Sequence, residues 1–123
     1  MTTNHTLADV VEYIMVNRRG KAFYKWTRSE ITLTLAEAVN EGTFLYSVDD
    51  RGNINGCVHG TRFVKDNVLF VHNILTTGGT VVLINFIKRF RELFFGYRLE
   101  ATRRGRTKIY NTDKFVSKFL TLN

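Results

Sequence analysis

Leu7, Val10, Val11, Ile14 and Met15 recur at three-and-four spacing, which predicts a helix with one apolar face. Thr6 stands at its start as a cap, with Asp9 three residues on to complete a weak capping box. Arg18-Arg19-Gly20-Lys21 ends it, basic residues suiting a helix C-terminus and glycine a stop. A second helix opens at Thr27, boxed by Glu30, with Ile31, Leu35, Ala38 and Val39 as its buried stripe and Gly42 as its end. Phe23, Tyr24 and Trp26 lie between the two helices and read as core aromatics.

The pattern then changes period. Thr43 to Val48 is rich in strand formers, Asp49 to Asn53 is a turn segment, and Ile54 to Phe63 follows. In that second strand Ile54, Gly56, Val58 and Gly60 alternate with Asn55, Cys57, His59 and Thr61. Lys65-Asp66-Asn67 turns again, and Val68 to Leu75 is apolar enough to be a central strand. Two short turns joining three strands predict a meander. After Gly78-Gly79, a run from Val81 to Phe94 returns to helical spacing and reaches Gly96. Tyr97 to Thr102 alternates as a fourth strand; the stretch from Gly105 to Tyr110 reads as either a short helix or more strand. Phe115, Val116, Phe119 and Leu120 mark one more element of undecided type. The expected fold class is α/β in the α+β sense: a central, mostly antiparallel sheet with flanking helices, in one domain.

The chain has 123 residues, of which 44% are apolar, enough to bury a core. It contains no apolar run of membrane-spanning length, and its first residues lack the layout of a signal peptide. The single cysteine, Cys57, excludes an internal disulfide and suits a reducing cytoplasm. The net charge of +7 is concentrated late in the chain, at Arg98, Arg103, Arg104, Arg106, Lys108, Lys114 and Lys118. Such a balance suits an acidic partner (nucleic acid, anionic lipid or a phosphorylated cofactor) or is simply an ordinary basic surface.

Candidate chemistry is sparse. No two of the three histidines, His5, His59 and His72, have metal-ligand spacing, so no metal site is expected. Cys57 on a buried strand reads as an inert thiol. The junction Thr77-Gly78-Gly79-Thr80 carries a strand into a helix, and such a turn either cradles phosphate on a helix N-terminus or only turns the chain.

The order of these elements resembles the GNAT acyltransferase fold, including its short phage-encoded members. Glu41 to Gly56 is similar to the family's first hairpin of short strand, acidic turn and spaced glycines. Val68 to Leu75 resembles its central strand, Gly78 to Phe95 its cofactor-side helix, and Tyr110 with Phe115 its tyrosine-then-phenylalanine ending. The resemblance covers residues 27 to 115 and implies a single domain over residues 1–123, shorter than the family at both ends. It implies acetyl-CoA as cofactor, held at Thr77, Gly78, Gly79 and Thr80. Tyr110 would protonate the departing thiolate, and His72 would stand in as base where family members often carry a glutamate. Two departures matter. Leu75 or Thr76 occupies the place of the family's basic or amide loop residue, and Thr80 that of its second spaced glycine.

Those departures set the order of functional expectations. First is a phage-encoded, non-catalytic binding module in the host cytoplasm, using Arg98, Arg103, Arg104, Arg106 and Lys108 against nucleic acid or an acidic host protein. The alternatives are an acetyl-CoA-dependent N-acyltransferase, and a structural protein that forms homo-oligomers through its phenylalanine-rich helix.

Overall fold

The computed structural model describes the backbone of residues 4–103 and 106–110 and the side chains of residues 4–101. In order come α1 (Leu7–Asn17), α2 (Arg28–Glu41), β1 (Phe44–Val48), β2 (Ile54–Phe63), β3 (Val68–Thr76), α3 (Thr80–Leu93), β4 (Arg98–Arg103) and β5 (Arg106–Tyr110). The five strands form one sheet in the order β1-β2-β3-β4-β5, so the apolar strand β3 is central. All neighbours are antiparallel except β3 and β4, which are parallel and joined by α3. The mostly antiparallel sheet with flanking helices is the expected architecture, and the undecided stretch before Tyr110 is strand.

Both expected capping boxes form. Thr6 Oγ1 accepts from the Asp9 N–H at 3.2 Å while the Thr6 N–H donates to Asp9 at 2.8 Å. Thr27 and Glu30 do the same at 3.1 and 3.0 Å. Gly42 closes α2 in the left-handed conformation, φ 75°, where a side chain would be strained.

The core has two parts, one on each face of the sheet. Val10, Val11, Ile14, Ile31 and Leu35 from α1 and α2 pack with Phe23, Cys57 and Leu75. Val82, Phe86, Phe90 and Phe94 pack on the other face with Val58, Leu69, Val71 and Leu99. Gly56 allows the close approach of α3: a Cβ there would lie 2.6 Å from Val82 and 3.2 Å from Phe86. Three phenylalanines of the α3 segment thus serve the domain's own core, while Phe95 is exposed. Two sequence expectations fail. Val39 is 52% exposed, because it lies about 80° around α2 from Ile31, outside the stripe of Ile31, Leu35 and Ala38. Tyr24 is also exposed, in the turn between α1 and α2, where only Phe23 is fully buried.

Candidate functional site

The parallel pair β3–β4 is the topological switch of this sheet, and its strands separate at one residue. Pairing runs from Val68–Arg98 to Val71–Ala101 and stops there, although β3 continues to Thr76. The cause is a bulge. His59 pairs with Asn73 and Gly60 with Val71, which leaves His72 as the extra residue. The packing carries the same signature. Val71 belongs to the core under α3 and Leu75 to the core under α1 and α2, although residues four apart in a regular strand share a face. The bulge therefore turns His72 and Asn73 toward the α1–α2 side and opens the sheet beyond it.

At the top of this opening, β3 passes through Thr77-Gly78-Gly79 into α3. Thr77 and Gly78 donate their N–H groups to the Asn55 carbonyl at 2.9 and 3.1 Å, and Thr76 Oγ1 donates to the same oxygen at 3.2 Å. These two residues are thus held by β2, and the helix-start N–H groups that need partners from outside the helix follow from Gly79 onward. Gly79 is the N-cap of α3, with φ 80° and ψ −164°, and no side chain caps the helix. The first turn of α3 also carries no acidic residue. A Cβ on Gly79 would meet nothing within 4 Å, so the space above it is open. At Gly78 a Cβ would collide with Val82 at 2.5 Å and the Asn55 amide at 2.8 Å. Asn55 Oδ1, beside this loop, is buried without a hydrogen-bond partner.

Below the loop lies a cleft of about 230 Å³ lined by Trp26, Glu37, Glu41, His59, Thr61 and His72, among others. His59 and His72 stack with ring centroids 5.3 Å apart. His59 is buried, bonds Asn73 through Nε2 at 2.9 Å, and packs against Phe23 at 5.5 Å. Phe23 is held at φ 68°, unusual for a bulky residue, and Arg18 ties its carbonyl and that of Trp26 to the end of α1. Burial, assisted by His72, holds the His59 pKa down at about 4. Partial burial also lowers that of His72, whose Nε2 lies 2.6 Å from Thr61 Oγ1. Both rings are neutral at pH 7. Cys57 is buried, and its thiol is pushed up to about 12, which makes it inert.

His72 and the Thr77–Thr80 loop therefore share the open end of β3, about 16 Å apart along the strand. By register Tyr110 lies far from the loop and about 10 Å along the sheet from the level of His72. β5 returns antiparallel along β4, bringing Tyr110 level with Leu99 and so with Leu69. Its backbone lies roughly 25 Å down the sheet from Thr77. The β4–β5 hairpin sets Arg103 opposite Arg106 and Lys108 opposite Ala101, and Arg98 pairs with Glu100 at 2.9 Å. Arg104 lies outside the described residues, as do the side chains of Arg103, Arg106, Lys108 and Tyr110. Among the described residues, no cluster of histidine, cysteine or carboxylate groups is arranged to hold a metal, and no helix is long and apolar enough to cross a membrane. Sequence reading missed His59, Glu37, Glu41 and the Asn55 carbonyl as parts of this region.

Among solved structures, the chain resembles a GNAT superfamily phosphinothricin acetyltransferase from Sinorhizobium meliloti in complex with AcCoA. The TM-score is 0.57 at 18% identity, over 96% of this chain and 71% of that one. The fold is thus GNAT-like, as the order of elements implied. No protein-family model matches the chain, and no curated protein matches it.

Proposed function

We propose that the protein is an acetyl-CoA-dependent N-acyltransferase. The observation that carries this reading is the bare N-terminus of α3, set at the carboxyl ends of parallel strands that separate at His72. Open sheets bind ligands at such switch points, and an uncapped helix start is a ready anion site. The residues fit the group. The open space over Gly79 lets a pyrophosphate approach the backbone, and the N–H groups from Gly79 onward supply donors. Thr77 and Gly78 act by fixing the loop to Asn55. The loop has no arginine or glutamine, so backbone donors and the helix dipole carry the interaction alone.

Bound acetyl-CoA supplies an activated acetyl group. The protein supplies position and a base. An amine is nucleophilic only when neutral, and His72 is neutral at pH 7 and able to take its proton. The tautomer that donates Nε2–H to Thr61 leaves Nδ1 as the acceptor. Tyr110, on the strand beside β4, is the residue proposed to protonate the departing thiolate. Calorimetry with acetyl-CoA tests the reading: saturable binding by the wild type and loss in Gly79→Val is the expected result. A wild type that gives no binding heat and an unmoved melting curve at millimolar acetyl-CoA would refute it.

A second reading, as a nucleic-acid binder, is favoured by the β4–β5 hairpin, which sets Arg103 opposite Arg106 and carries Lys108 on the same strand. Binding would then weaken steeply with salt and vanish when Arg103, Arg104 and Arg106 become glutamate. Filter binding that retains neither DNA nor RNA at low salt would remove it.

A further inference from the structure

The cleft below the loop is at odds with the charge of the protein. The chain carries +7, yet the cleft is lined by two carboxylates, Glu37 and Glu41, and by no lysine or arginine among the described residues. Neither carboxylate makes an ion pair among the described residues. They stand one helical turn apart on α2 and so present two charges on one face. Trp26 forms an aromatic wall. The floor is His59, which is 3% exposed; its Nε2 accepts from the Asn73 amide, so the neutral ring carries its proton on Nδ1. Across from it His72 offers a second ring nitrogen. Carboxylates and aromatic faces attract a cation; the open His72 nitrogen accepts a proton or a hydrogen bond, and the His59 Nδ1–H donates one to a neutral amine.

We infer that this cleft binds a small aliphatic diamine as its cognate ligand. One nitrogen stays protonated between Glu37, Glu41 and the face of Trp26. The other reaches the histidine pair, where it can be held and released from its proton. A diamine separates two demands that a monoamine must meet with one nitrogen, namely charge for capture and neutrality for reaction. The volume of about 230 Å³ equals roughly seven or eight waters, room for a ligand of that size. This inference names the acceptor class for the transferase proposed above and rests on that reading for its chemistry; the binding itself does not require the cofactor.

The test uses the full chain with 1,4-diaminobutane as probe and 1,4-butanediol as its uncharged counterpart. Calorimetry and the ring resonances of His59 and His72 report binding. The expected result is saturable, salt-weakened binding of the diamine with shifts at both rings, and none with the diol. Glu37→Gln with Glu41→Gln, both at exposed positions, should reduce diamine affinity at least tenfold while acetyl-CoA affinity is unchanged. Equal binding of diamine and diol, unaltered affinity in the double variant, or no binding would overturn the inference, even where acetyl-CoA binds. Diamine binding with the expected charge dependence but without acetyl-CoA binding would support the site and refute only the transferase reading.

Discussion

Two regions of this domain treat their polar groups in opposite ways. At the starts of α1 and α2 each helix is closed by a reciprocal capping box, Thr6 with Asp9 and Thr27 with Glu30. Around the upper end of β3 the groups are left open. α3 starts on a bare glycine, Asn55 Oδ1 is buried without a partner, and His59 is buried as a neutral ring. One chain thus has the means to close a helix start and does so twice. Leaving the third open costs stability that a bound anion can return. The difference separates the region that holds the fold from the region proposed to take a ligand.

The largest expected effect probes the cost carried by the open region. The His59 pKa is about 4 in the folded protein against an ordinary 6.5. Between those values the unfolded chain binds a proton that the folded chain refuses, so stability rises with pH. It is present in full above about pH 6.5 and falls by about 3 kcal/mol as pH drops toward 4. His72, lowered in the same direction, adds to the same slope. Urea unfolding of wild type and His59→Gln across this range checks it: the variant should show a clearly flatter profile. Equal slopes would break the account of His59 as a desolvated group.

Next in size is the ligand effect at the bare helix start. Acetyl-CoA at about 100 times its dissociation constant should add ~2.7 kcal/mol to the wild type and nothing to Gly79→Val, read as melting shifts. The closed starts should respond differently. Thr6→Ala and Thr27→Ala should each cost about 1 kcal/mol in urea unfolding and leave acetyl-CoA affinity unchanged. The smallest effect is the sharpest contrast. Thr80→Glu places an acid in the first turn of α3, which should stabilise the free protein by roughly 0.3–1 kcal/mol and weaken acetyl-CoA binding. Stability and affinity moving in the same direction in that variant would erase the proposed division.

What the sequence made legible follows the same division. The capping boxes were readable because both partners lie within four residues, and β3 because its apolar run is long enough to be central. The run from Val81 to Phe94 declared its helix by period. The bulge at His72 was not readable, since it depends on how β2 pairs with β3, and the stack of His59 on His72 follows from that pairing. Asn55 holds the loop through its main-chain carbonyl, which leaves no trace in side-chain chemistry. Glu37 and Glu41 look like any solvated helical pair until the cleft is seen. The placement of Tyr110 turned on β5 being a strand that doubles back along β4, where local pattern allowed helix or strand.

The most direct test of the central claim is the amide spectrum of the ¹⁵N-labelled protein during titration with acetyl-CoA. The account predicts the largest shifts at Gly79, Thr80, Val81 and Val82, with Asp9 and Glu30 at the capped starts unmoved. An unchanged spectrum at saturating acetyl-CoA, or shifts at Asp9 and Glu30 as large as those at the start of α3, would contradict it.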